Sequence, residues 1–141
     1  MRLVAGYSGT PLPQKLGLKE GSRVAVLGAP AGFIESLGPL PPGVAIGSEV
    51  EPGLDVIVLF TTLRAELSAR FLELGRSLQP AGGLWIAWPK RASGVPTDIT
   101  EDVLREVILP SGLVDNKVCA IDEQWSGLRF VWRKELRGRL G

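Results

Sequence analysis

The chain reads as an α/β protein with one open, mostly parallel sheet, and three stretches predict it. Leu54 to Lys90 runs strand, amphipathic helix, strand, which is one βαβ unit. Arg23-Val24-Ala25-Val26-Leu27-Gly28 is a short apolar run rich in Val and bounded by glycines, which suits a strand covered on both faces. Two further strand-like runs near the C-terminus, joined by a polar link, should pair antiparallel. At 141 residues the chain fits a single domain, and a domain near that size buries about 68–70% of its unfolded surface.

Residues 1–20 carry Gly6, Gly9, Pro11, Pro13 and Gly17 and are expected as an irregular arm, with a short helical turn around Gln14-Lys15-Leu16. The domain proper is expected over 21–134, followed by a basic tail over 135–141. After the first strand the sequence predicts a brief helix over Ala31 to Leu37, closed by Gly38 and the Pro39-Leu40-Pro41-Pro42-Gly43 break. Val44-Ala45-Ile46 is a weak second strand, and the link Gly47 to Gly53 leaves no room for a helix. Parallel neighbours need a crossover of about a dozen residues or more, so this strand is short, peripheral or not adjacent to the strand Leu54 to Phe60.

Thr61-Thr62 offers a helix-capping hydroxyl, and Leu63, Leu67, Phe71, Leu74 and Leu78 recur at helical spacing. Pro80 should stop that helix and Ala81-Gly82-Gly83 turn the chain into the strand Leu84 to Trp88. Beyond the loop that starts at Lys90, Asp98-Ile99-Thr100-Glu101 has capping-box spacing, and Ile99, Val103, Leu104, Val107 and Ile108 form the apolar face of another helix. The closing strands are read as Lys117 to Ile121 and Leu128 to Arg133.

Composition excludes several chemistries. The lone Cys119 rules out a disulfide framework, and the absence of histidine removes Ser/His and Cys/His pairs and the ordinary zinc site. Proton transfer would fall to Asp, Glu, Lys, Tyr7 or Cys119 with a shifted pKa, so a non-catalytic role is favoured. A formal charge of +1 argues against nucleic acid as partner. No apolar run approaches the roughly 18 residues of a membrane span, and the first residues are too quickly polar for a signal peptide, so a cytoplasmic location is expected. One Asn and three Gln beside abundant Leu, Arg, Glu and Pro fit selection against thermolabile residues, as in a thermophilic source.

Two resemblances follow. Ala5-Gly6-Tyr7-Ser8-Gly9-Thr10-Pro11-Leu12, Trp88-Pro89-Lys90 with Ser93-Gly94-Val95, and Gly112 to Glu123 with Trp125-Ser126-Gly127-Leu128 resemble a bacterial family catalogued as domain of unknown function 3052, which implies no activity. Leu16-Gly17-Leu18-Lys19-Glu20-Gly21, Leu78-Gln79-Pro80-Ala81-Gly82-Gly83 and the closing hairpin are similar to class I S-adenosylmethionine-dependent methyltransferases. That likeness implies a three-layer Rossmann-like sheet of six strands ordered 2-1-3-4-6-5, with strand 6 antiparallel. It also implies a cofactor held by the turn after the first strand, by an acid at the end of the second and by a side chain after the next. Here the turn is Gly28-Ala29-Pro30-Ala31-Gly32, where Pro30 removes an amide donor, and Glu49 lies on a weak strand. Parts of the cofactor cradle are missing.

Lys90-Arg91-Ala92-Ser93-Gly94 is the leading candidate site, since cations, a hydroxyl and flexible amides meet beside a helix N-terminus and attract anions. The competing reading pairs Lys90 and Arg91 with Glu101 and Asp102. Gly28, Gly32 and Glu49 are cofactor candidates only if S-adenosylmethionine binds. Otherwise the glycines make a tight turn and Glu49 is a solvated acid. Tyr7 is read as a lid or as part of a packed arm, and Trp125 as a partner contact or as an indole tucked onto the sheet. The expectation is a module without cofactor or metal that binds a small anionic ligand or a protein partner, homodimerisation included. The rivals are a methyltransferase with a reduced site and a structural subunit.

Overall fold

The structure is a computed structural model that describes residues 10–138. Six strands form one sheet in the order β2-β1-β3-β4-β6-β5. They are β1 (Arg23–Leu27), β2 (Ala45–Gly47), β3 (Leu54–Phe60), β4 (Leu78–Pro89), β5 (Leu113–Ala120) and β6 (Trp125–Trp132). β1 pairs parallel with β2 and β3, and β3 parallel with β4. β6 runs antiparallel to both β4 and β5. Among the described residues five α-helices accompany the sheet: α1 (Leu12–Leu16), α2 (Phe33–Ser36), α3 (Arg64–Arg76), α4 (Glu101–Ile108) and α5 (Lys134–Arg137).

Alternation along the strands sends apolar side chains to both faces. On one face Ala25, Leu27, Ile57, Leu59, Leu84, Ile86 and Phe130 pack against Leu67 and Leu74 of α3 and Leu104 and Ile108 of α4. On the other, Val24, Val26, Val56, Val58 and Trp85 meet Leu16 and Leu18 beside α1, and Phe33 and Leu37 around α2. Among the described residues the second face thus has only two very short helices over it. The Trp85 indole N–H donates to the Leu16 carbonyl at 3.0 Å and pins α1 there.

β2 is three residues long, lies at the sheet edge and does not touch β3, as its short link to β3 requires. Six residues cross from Gly47 to Leu54 beneath β1, a reach of roughly 20 Å for extended chain against two strand spacings of about 5 Å each.

Elsewhere the boundaries move. The helix expected over Ala31 to Leu37 is α-helical only over Phe33–Ser36, because Gly32 at its N-cap sits at φ 84°. α3 begins at Arg64 behind an extended Leu63, which is 56% exposed rather than part of the buried stripe. Thr61 Oγ1 accepts the Leu63 N–H at 3.2 Å but does not cap the helix. The end of α3 is not set by Pro80, since the helix stops at Arg76 and Leu78 already pairs with Leu54 as a strand. Ala81-Gly82-Gly83 is no turn: the chain bulges between Leu78 and Gly83 and stays in β4. The capping box divides between two helices. Thr100 caps α4 by accepting the Val103 N–H at 3.1 Å, while Asp98 Oδ1 accepts the Arg64 N–H at 2.7 Å, at the head of α3. The hairpin strands also reach further than expected, from Leu113 and from Trp125.

Candidate functional site

The Lys90 loop leaves the carboxyl end of β4 as one 3-10 turn, Arg91–Ser93, closed by Gly94 at φ 75°. Lys90 N–H donates to the Gln124 carbonyl at 2.7 Å, which ties the loop to the β5–β6 hairpin. Ser93 Oγ donates to the Lys90 carbonyl at 2.7 Å and accepts the Val95 N–H at 3.2 Å, so this hydroxyl holds the loop's own shape. Thr97 Oγ1 donates to the Thr62 carbonyl at 2.7 Å and fastens the far end to the β3–α3 connection. Between these ties lies a cavity of about 500 Å³ lined by Trp88, Arg91, Gly94, Thr97, Thr100 and Glu101, among others.

The pairing of Lys90 and Arg91 with Glu101 and Asp102, the competing reading, does not form. Both acids turn to Arg105 instead, Glu101 at 2.9 Å and Asp102 at 3.8 Å. Arg105 also meets Asp115 at 3.2 Å, and that hydrogen bond leads the causes that raise its pKa. Among the described residues Lys90 and Arg91 make no ion pair.

Each residue of the alternative cofactor site has a local setting of its own. Gly28 has φ 69°, and a Cβ there would stand 2.8 Å from the Phe60 carbonyl oxygen, so strand packing alone demands glycine. Gly32 caps the four-residue α2. Glu49 lines a cavity of about 430 Å³ with Arg23, Gly47 and Glu51, and neither glycine borders it. Glu51 pairs with Arg23 at the amino end of β1. Beside the Gly28 turn, Phe33 packs edge-on to Phe60 at 4.9 Å, and Phe60 edge-on to Trp125 at 5.1 Å. Trp125 is therefore tucked onto the sheet, where it covers the carboxyl end of β3. Tyr7 lies outside the described residues.

Sequence reasoning missed this aromatic trio, whose members lie far apart along the chain. It also missed a second cavity, of about 400 Å³, that collects Lys15, Lys19, Lys117 and Arg129. The only hint was the alternation of β6, which put Arg129 on the face away from Leu128 and Phe130. Cys119 borders a neighbouring cavity, of about 500 Å³, with Lys15 and Lys117. Burial pushes its thiol pKa up, against the opposing pull of the two lysines. Among the described residues no cluster of acidic or cysteine side chains could hold a metal ion, and no helix is long and apolar enough to cross a membrane.

No protein-family model matches the chain, and no curated protein matches its sequence. Solved structures do match its fold. A SAM-dependent methyltransferase from Aquifex aeolicus aligns with TM-score 0.58 and 21% identity, over 83% of this chain and 85% of that one. A Sulfolobus solfataricus chain assigned to the type 11 methyltransferases aligns with TM-score 0.62 and 14% identity, over 87% and 90%. Fibrillarin from Aeropyrum pernix, in complex with natively bound S-adenosyl-L-methionine, aligns with TM-score 0.58 and 17% identity, over 89% and 70%. The fold is methyltransferase-like and Rossmann-like, with the expected strand order and an antiparallel sixth strand.

Proposed function

We propose that this chain is a binding module on a methyltransferase scaffold, which takes up a small anionic molecule at the carboxyl end of β4 and performs no methyl transfer. The observation that carries this reading is Arg91, without an ion pair among the described residues, at a cavity of about 500 Å³ whose nearby acids are engaged by Arg105; Lys90 precedes it in the chain and, like Ser93, does not line the cavity. Open α/β sheets bind ligands outside the carboxyl ends of their strands. Here Arg91 supplies a forked donor, Trp88 an apolar wall, and the head of α4 a positive dipole end. The methyl-donor position is poorly supported, because Pro30 offers no amide and the aromatic trio covers the neighbouring strand end.

A second reading, an S-adenosylmethionine-dependent transferase, is favoured by the fold itself and by the Gly28 to Gly32 turn, whose two glycines both lie in the left-handed region. On that reading Gly28, Gly32 and Glu49 hold the cofactor, and Lys90 or Tyr7 stands near the acceptor. Thermal shift with inorganic phosphate, S-adenosylmethionine and its demethylated product separates the two. Ligand at about 100 times its dissociation constant adds roughly 2.7 kcal/mol to the native state. A phosphate response lost in Lys90→Ala/Arg91→Ala is expected. A cofactor response abolished by Glu49→Ala would replace this reading with the transferase.

A further inference from the structure

At the opposite end of the sheet, on the face with α1 and α2, Lys15, Lys19, Lys117 and Arg129 converge on the cavity of about 400 Å³ together with Asn116 and Asp55. Four cations thus meet one carboxylate, and that carboxylate is engaged: Asp55 Oδ2 accepts the Arg23 N–H at 2.8 Å. Among the described residues none of the four cations makes an ion pair.

The arrangement is costly for folding alone. Lys117 and Arg129 stand directly opposite each other in the β5–β6 ladder, and like charges in that relation destabilise a sheet. Arg129 is half-buried, and burial, then the charge of Arg137, push its pKa down. Its side chain has no hydrogen-bond acceptor among the described residues. Space for the guanidinium comes from Gly83 on β4, where a Cβ would lie 2.3 Å from the Arg129 Nε. The adjacent Trp85, opposite Arg129 in register, anchors α1 and so sets the place of Lys15. A partly desolvated guanidinium, given room by Gly83, and three lysines around a concavity are the parts of an anion site.

We propose that this basin binds a small molecule carrying two or more phosphoryl groups, at a site separate from the Lys90 loop. The charge count calls for more than one phosphoryl group, and a concavity of this size suits a small ligand. A nucleic-acid strand would need a longer cationic track.

Calorimetric titration of the full chain with inorganic pyrophosphate tests this, with orthophosphate, citrate and a single-stranded oligonucleotide as the other arms. Pyrophosphate should bind more tightly than each of the other three. Lys117→Gln, a change at an exposed edge position that leaves the fold intact, should weaken pyrophosphate roughly tenfold, as should Arg129→Gln. The Arg129 Nε–H resonance should shift on titration. Absence of pyrophosphate binding, affinity indifferent to Lys117→Gln, or a loss confined to the Lys90/Arg91 variant would each overturn the assignment, as would tighter binding of citrate or the oligonucleotide.

Discussion

Gly28 is where a single atom decides the outcome. A methyl group there meets the Phe60 carbonyl oxygen at 2.8 Å, and φ is 69°, so both space and backbone reject a side chain. The opposing atom belongs to the backbone of a central strand and cannot step aside. Gly28→Ala should therefore cost about 1–3 kcal/mol, read as a lower urea midpoint with unchanged slope. A midpoint equal to that of the unaltered chain would mean that the close approach carries no strain. Cys119 makes a different prediction, about pH. Burial raises its pKa in the folded chain, so the native state keeps the proton to higher pH than the unfolded one. Stability owed to this group is complete below the ordinary thiol range and is lost as pH rises through it toward the folded value. Urea midpoints compared between the protein and Cys119→Ala should run parallel near neutrality, with the unaltered protein falling away faster in alkali. Parallel curves throughout would show that the thiol titrates as if exposed.

Elements whose order is local were legible from the sequence, and those settled by distant partners were not. β1 and β3 declare themselves as apolar runs, and α4 by its stripe of Leu104 and Ile108 with Ile99 just ahead of its cap, all of which are buried. β4 was misjudged because the pairing of Leu78 with Leu54 depends on a strand two dozen residues earlier, whereas Pro80 and Gly82 carry turn signals on their own. Gly82 sits so close to the carbonyls of Leu54 and Asp55, at 3.0 and 2.9 Å from a built Cβ, that its smallness serves the bulge. Asp98 misled in the same way. It stands two residues before the cap of α4, yet its carboxylate receives the Arg64 N–H of α3. Asp98→Ala should then destabilise the protein by about 1 kcal/mol and speed amide exchange in the first turn of α3 more than in α4. Faster exchange confined to α4 would return Asp98 to the helix it precedes in sequence.

At the scale of the whole molecule, the described residues cover the two faces of the sheet unequally. The α3–α4 face is closed by a helix of thirteen residues and one of eight, and the other face by helices of five and four. This imbalance explains which candidate site the sequence revealed. The Lys90 loop is contiguous, so its cations could be read directly, whereas the basin beside α1 draws on Lys15, Lys117 and Arg129, which only the sheet order brings together. The same imbalance predicts where the fold opens first. Leu16, 2% exposed, anchors α1 together with the buried Pro13 and the hydrogen bond from Trp85. Leu16→Ala should cost about 2–5 kcal/mol, the usual range for emptying such a site. Much of that loss should appear as local opening, because so short a helix has little else to hold it. Two indoles report on the two faces: Trp85 donates to Leu16 beneath α1, and Trp132 donates to the Gly75 carbonyl beneath α3 at 2.8 Å. In hydrogen exchange followed by NMR, the Trp85 indole should exchange faster than that of Trp132, and Leu16→Ala should widen the gap. Equal rates in both proteins would mean that the sheet opens as one unit, and that α1 does not open ahead of it.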